Sequence, residues 1–350
     1  MLSYDVVEWG KPLRLNKGET PKPKGTEVLL HLKYCGVCHS DVHIRDGYFD
    51  LGGGKRLLMT ERGMRLPATL GHEPFGTVIA AGPEAADVPI GTDRLVYPWT
   101  GCGDCMRCRE SLDNYCMAAK MIGIHRPGGY ADHLVVPHPR YLIDVSGLDP
   151  VWAATLSCSG LSAYSAVSKL KPIPRDEWVA VMGAGGLGLS AIGMLRALGH
   201  ERIVSVDIDD LKLTAAIAAG AAATLNSRAG EAQQKLKGVS GVALYGAVDF
   251  VGSADTANLA LAALRKGGKL ILVGLFGGEI SISIGGTILR AITIQGSHLG
   301  SVDELKAVVA LAREEKIKPI PIQTRSLSDV SRMLDELKAG RIAGRVVAQI

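Results

Sequence analysis

Residues 178–195 (WVAVMGAGGLGLSAIGML) constrain the fold more than any other segment. They hold no charged side chain over 18 positions, yet Gly183, Gly185, Gly186 and Gly188 crowd into six of them. A lone membrane-spanning helix would not be built this way, because each glycine costs a helix about 1 kcal/mol relative to alanine. A buried strand ending at Met182, a glycine turn and a buried helix to about Leu198 accommodate the same residues. The alternation continues downstream, with strands expected at 202–206, 247–251 and 269–273 and helices through Ala219 and over 255–265. Buried strands alternating with amphipathic helices predict a doubly wound parallel sheet covered on both faces, of Rossmann type.

The 350 residues exceed what one core usually serves, so a second domain is expected. With 47% hydrophobic and 21% charged residues, the chain is suited to packed cores rather than to disorder. Residues 1–157 have a different texture, rich in Cys, His and Pro, with short strands expected at 26–33, 75–81 and 131–136. The last segment, 300–350, reads as helices at 302–313 and 327–338 and a closing strand at 345–350. Domain one is therefore expected to comprise 1–157 and 300–350, mostly β, and domain two 158–299, α/β. Lys+Arg 39 against Asp+Glu 35 is too small an excess to imply nucleic acid or a membrane as partner. The opening residues lack a secretory pattern, and seven cysteines argue against a full disulfide framework. A reducing, cytoplasmic location is expected.

Gly183-x-Gly185-x-x-Gly188 follows a strand and opens a helix. The first glycine permits a tight turn, the second lets backbone approach a pyrophosphate, and the third allows close helix–strand packing. The amides at Gly186 and Leu187 sit at the positive helix end. Asp207 ends the next strand, 19 positions after Gly188, where a ribose-binding acid belongs. A carboxylate there, with Asp209 and Asp210 following, repels a 2′-phosphate and predicts NAD over NADP.

Cys102, Cys105, Cys108 and Cys116 are spaced C-x2-C-x2-C-x7-C, which suits four thiolates closing around Zn²⁺ with no open position, a structural site. Unmetallated surface cysteines, an iron–sulfur cluster and a zinc ribbon are the alternatives. Cys116 is followed by Met117 rather than by the ferredoxin pattern, and the neighbourhood lacks a basic face. Cys38, in GVCHSDVH, His72, 34 residues later, and Cys158, in TLSCSG, are also metal-ligand types. Spacing alone does not connect them, and each taken singly reads as an ordinary core residue.

The whole chain resembles the zinc-dependent medium-chain alcohol dehydrogenases. GHEPFGTVIAAG at 71–82, the CHSDVH run at 38–43, the four-cysteine loop and GAGGLG with Asp207 carry the resemblance. It implies a GroES-like catalytic domain beside the Rossmann cofactor domain, two Zn²⁺ per chain and NAD. It implies that Cys38, His72 and Cys158 hold a catalytic zinc, with Glu73 able to approach it and Asp41 bonding His72. Ser40 and His43 would relay the alcohol's proton to solvent by way of the nicotinamide ribose. His39 and Arg345 fall where relatives contact pyrophosphate, Lys212 at the ribose, and Ser162, Val273 and Gly274 at the nicotinamide. Trp99 falls at the substrate pocket. The expected reaction is reversible oxidation of a primary or secondary alcohol to aldehyde or ketone. A polyol-type dehydrogenase, whose third ligand is usually a carboxylate, and a non-catalytic zinc-stabilised binding protein are the alternatives. A homo-oligomer, dimer or tetramer, is implied through strands at about 288–296. Residues 48–67 look inserted, and their role is open.

Overall fold

The computed structural model describes residues 1–228 and 230–350. Val179–Met182 is a strand with all four side chains buried. It lies at the centre of a six-stranded parallel sheet in the order Ala223–Asn226, Ile203–Asp207, Val179–Met182, Leu244–Asp249, Leu264–Leu272, Thr293–Gly296. The first three strands in sequence run outward one way and the next three the other way. Strand order thus reverses beside Val179–Met182, and the crevice at the carboxyl ends there is where doubly wound sheets take ligands. The helix Gly186–Ala197 starts at this crevice and lies so close to the strand that a Cβ on Gly188 would overlap the Gly183 carbonyl oxygen.

The other sheet is built around one long strand. Val28–Val37 pairs with Pro74–Ala81, His133–Val136 and the C-terminal strand Arg345–Gln349, which in turn pairs with Ile322–Ser326. The end of the chain is therefore sewn into the sheet formed near its beginning. The helices Pro150–Thr155 and Leu161–Lys169 lead from this sheet to the parallel one, and Leu161, Val167, Leu189, Val308 and Val346 belong to a single buried cluster spanning both. No helix among the described residues is long and apolar enough to cross a membrane.

Sequence patterning did not anticipate the strand Ala223–Asn226 or the helix Ala232–Ser240. The expected strand at 288–296 is corrected in its first part. Residues Ile284–Arg290 form a helix, capped by the Ser283 hydroxyl accepting from Gly286 N–H at 3.1 Å and ended by Ala291 at φ 49°. The apolar run that follows Gly286 has a strand's composition, and the cap decides against it.

Residues 48–58, in the segment that looked inserted, form a hairpin of Tyr48–Gly52 and Lys55–Leu58. Phe49 is its buried anchor. At its tip Gly52 has φ +83° and lies against the Gly278 backbone and Glu279, in the loop after Leu264–Leu272 of the parallel sheet. A Cβ at this position meets main chain that cannot yield. Gly52→Val is expected to push the tip off that loop and to lower stability by about 1–3 kcal/mol. Denaturant unfolding and protease nicking within 48–58 check it, and a variant as stable and as resistant as wild type would show the contact to be idle.

Candidate active site

Cys38 follows the central strand Val28–Val37 and is the N-cap of the helix His39–Asp46. Asp41, in the first turn of that helix, is completely buried and accepts four hydrogen bonds. They come from Cys38 N–H at 3.0 Å, Gly71 N–H at 3.3 Å, His72 Nδ1 at 2.9 Å and the Tyr130 phenol at 2.8 Å. Because Nδ1 donates to Asp41, the lone pair of the neutral ring lies on Nε2, which is buried and has no protein partner.

That nitrogen faces sulfur and oxygen donors. The donor atoms of Cys38, His72, Glu73 and Cys158 all lie within 4.8 Å of one another, and all four residues are buried. Cys158 arrives on a π-helical turn, Leu156–Gly160, between two α-helices, an irregularity common at functional sites. The Cys38 and Cys158 sulfurs are 3.9 Å apart. A disulfide needs about 2 Å, whereas two ligands sharing a tetrahedral zinc at ~2.3 Å each sit ~3.8 Å apart. The donor set fits zinc.

The four donors also perturb one another's ionisation. The Cys158 thiol hydrogen bond pulls Cys38 well below the ordinary cysteine range against the effect of burial, with His72 assisting. Burial opposes a charged His72, but Asp41 and Cys38 together raise its pKa well above the usual value. Burial pushes Glu73 up to about 7, with Arg345 pulling the other way. One Glu73 oxygen pairs with Arg345 Nη2, and the other has no partner.

The remaining expected residues are placed as follows. Ser40 and His43 share the helix with Cys38, and the half-buried His43 ring lies 5.4 Å from that of Phe49. His39 is exposed at the head of the same helix, and the charges of Arg345 and Lys212 both bear on it. Arg345 itself is buried; its aliphatic stem touches Gly186 and its guanidinium ends on Glu73, not at the open turn. Gly183 and Gly185 precede the helix Gly186–Ala197, in whose first turn Leu187 and Gly188 lie. Asp207 accepts from Ala184 N–H at 2.7 Å, Ile208 N–H at 2.7 Å and Asp209 N–H at 3.1 Å, so it also holds the glycine turn. Val273 and Gly274 donate their amides to the Asp249 carbonyl. Ser162 is buried one turn after Cys158. Trp99 sets its ring 5.1 Å from that of His72 and donates Nε1–H to the Ser157 carbonyl at 3.2 Å.

The four-cysteine loop forms a second cluster. Cys102–Cys108, Cys105–Cys108 and Cys105–Cys116 sulfurs are 3.9, 3.5 and 3.8 Å apart, again the edges of a zinc tetrahedron. Amides of Cys105 and Asp104 draw Cys102 down to about 6, whereas burial pushes Cys108 up to about 12. Asp113 ties the loop to the body, accepting from Gly101 N–H at 3.2 Å and the Tyr141 phenol at 2.8 Å.

Sequence reasoning missed Tyr130 and the Glu73–Arg345 pairing. Tyr130 lies in GGYADH, which offers no local signal of chemistry, because its partner is 89 positions away.

Residues 24–146 match the alcohol dehydrogenase GroES-like domain, and residues 186–314 match the zinc-binding dehydrogenase family. An NAD-dependent alcohol dehydrogenase of Sulfurisphaera tokodaii is 34% identical over 348 residues, 99% of each chain. One of Saccharolobus solfataricus is 34% identical over 353 residues, again 99% of each. The crystal structure of an alcohol dehydrogenase from Aeropyrum pernix superposes with a TM-score of 0.91 at 27% identity, covering 100% of both chains.

Asp41→Asn keeps the shape but removes the charge that orients His72. It is expected to weaken metal retention at the Cys38 cluster about 10–100-fold while the four-cysteine cluster stays loaded. Metal content measured against chelator concentration checks this; equal losses from both clusters would refute a specific role for Asp41.

Proposed function

The chain belongs to the zinc-dependent medium-chain alcohol dehydrogenase family and is an NAD-dependent alcohol oxidoreductase; on that premise we propose that Cys38, His72 and Cys158 hold the zinc at which the alcohol is oxidised. The convergence of these three donors from distant segments, with His72 Nε2 unpartnered among them, is the observation that supports this reading most. Glu73 keeps one free carboxylate oxygen on the same cluster, within reach of the metal. Cys102, Cys105, Cys108 and Cys116 would hold a second, structural zinc, giving two ions per chain. When bound, zinc supplies a Lewis acid beside the alcohol oxygen, and NAD supplies the hydride acceptor.

The chain's own residues then have three tasks. Ser40 takes the hydroxyl proton, and His43, one helical turn past His39, passes it toward solvent. Burial holds the His43 imidazole below its ordinary pKa of 6.5, so the neutral, proton-accepting ring is already present at neutral pH. The Gly183–Gly188 turn and the head of its helix receive the pyrophosphate, with His39 and Lys212 adding positive charge. Asp207 receives the adenosine ribose, and Ser162, Val273 and Gly274 border the nicotinamide. Arg345 acts on the pyrophosphate only indirectly, through its stem on Gly186.

We also assign the chain to the cytoplasm, where its seven thiols stay reduced. It pairs with a second copy at the sheet edge Thr293–Gly296, beside which Ile284, Ile288 and Leu289 are exposed.

The direct test is NADH absorbance with NAD⁺ and a panel of alcohols, before and after chelation. Turnover that survives complete loss of zinc would overturn the reading. Ser40→Ala is expected to lower kcat at least about 100-fold with zinc content intact. His43→Gln should lower kcat at pH 7 about tenfold and abolish the loss of activity that wild type shows as pH falls through the depressed His43 pKa. Wild-type pH profiles in both variants would remove the relay. For Asp207→Gly, the ratio of kcat/KM with NADP to that with NAD should rise tenfold or more; an unchanged ratio would free Asp207 of the ribose assignment.

A further inference from the structure

A closed circuit of contacts leads away from the Cys38 cluster and back to it. His72 meets Trp99, ring to ring. The segment 98–100 is tied to 120–122 by Ile122 N–H donating to the Pro98 carbonyl at 2.9 Å and Lys120 N–H to the Thr100 carbonyl at 2.9 Å. Met121, between them, has its sulfur 4.0 Å from Arg62 Nη2. The Arg62 guanidinium lies 5.6 Å over the Phe49 ring. Phe49 meets the His43 ring, on the helix that begins at Cys38. The circuit therefore starts on the expected ligand His72 and returns to the helix that Cys38 caps, with Arg62 midway along it.

Arg62 brings a permanent positive charge into the circuit, and among the described residues it has no counter-ion. It is half-buried, burial alone depresses its pKa, and no carboxylate among the described residues bears on it. The titratable groups that face it, His125 and His298, are themselves held below the ordinary histidine value. Burial is the first cause for both, and the Arg62 charge is among the further causes. His125 also fixes the backbone beneath it, with Nε2 at 3.0 Å from the Arg62 carbonyl. A guanidinium partly removed from water with only a ring face and a thioether beside it is incompletely compensated, and an arriving anion recovers that free energy. Its fork of donors matches a carboxylate.

We infer that Arg62 receives a carboxylate at the end of the substrate remote from the carbinol, so that hydroxy acids and the corresponding oxo acids are this enzyme's preferred substrate class over plain alkanols. The inference rests on the alcohol docking at the Cys38–His72–Cys158 cluster. The hydride and proton go where they go for any alcohol, and Arg62 takes no part in the bond changes. It sets specificity.

The test uses the zinc-loaded protein with NAD⁺ and matched pairs of ω-hydroxyalkanoates and 1-alkanols, from four to eight carbons, so that the reach from zinc to Arg62 is scanned. At the best length, kcat/KM for the hydroxy acid is expected to exceed that for the alkanol tenfold or more, as for a hydrogen-bonded charge pair. Raising the ionic strength should raise KM for the hydroxy acid only. Arg62→Gln should erase the advantage, Arg62→Lys should keep part of it, and Arg62→Glu should turn it toward ω-amino alcohols. Calorimetric titration of the hydroxy acid into the zinc-loaded protein should rank wild type and Arg62→Gln in the same order. Alkanol oxidation with no hydroxy-acid advantage at any length, or an advantage that survives Arg62→Gln, overturns the inference and leaves the active-site reading standing. Failure of the zinc-loaded protein to oxidise either class would overturn that reading, and the inference with it.

Discussion

The active site depends on a carboxylate that touches no metal. Asp41 is wholly buried, and a buried carboxylate without donors would be very costly. It is satisfied by donors from three places: the start of its own helix, the turn at Gly71–His72, and Tyr130. Meeting that electrostatic demand brings Cys38 and His72 together from positions 34 residues apart and fixes which nitrogen of His72 remains free. The head of the helix His39–Asp46 adds its positive end, which favours a negative Asp41. Cys158 then needs only to be delivered from the far side, and its π-turn among packed helices does so.

A second buried pair links this site to the cofactor domain. Arg345 opens the last strand, its stem lies on Gly186 of the glycine turn, and its charge ends on Glu73 beside the thiols. Breaking such a pair by removing one partner typically costs about 3–5 kcal/mol. The cost keeps Glu73 from swinging freely and keeps Gly186 in register with the metal cluster. One side chain thus spans the distance between the glycine turn and the Cys38–His72–Glu73–Cys158 cluster. Asp207, at the end of the next strand, accepts the Ala184 amide, so this carboxylate and the glycine turn are positioned together.

What the sequence revealed follows from how local each signal is. The parallel sheet was legible because a strand such as Val179–Met182 is buried on both faces and reads as an unbroken apolar run. The four-cysteine loop was legible because all its ligands lie within 15 residues. Ala223–Asn226 was not, since only Leu225 of its four residues is buried. The helix Ile284–Arg290 was obscured because its apolar residues face outward, where neither helical nor strand periodicity has a core to point at. Within the site, individual ligand types were visible but their union was not. Cys38 and His72 are joined by sheet pairing and by Asp41, Cys158 is brought in on a separate π-helical turn, and none of this leaves a mark at fixed spacing. The expectation that joined them came from resemblance to a family. Tyr130 and the Glu73–Arg345 pair were invisible for the same reason.

The inserted segment shows how such a site can be specialised without disturbing its chemistry. Its hairpin touches His43 through Phe49 and a loop of the parallel-sheet domain through Gly52, and the turn after it lays Arg62 over the Phe49 ring. None of these residues donates to Asp41 or contributes to the metal cluster. Changes in 48–67 therefore leave intact the bonds by which the buried carboxylate holds His72 in place. A substitution in the Asp41 network has the opposite signature, because it disturbs the metal before any substrate arrives. The two sets of residues are separable in principle because no hydrogen bond or ion pair among the described residues joins Arg62 or Phe49 to Asp41, and Phe49 itself carries no charge between them.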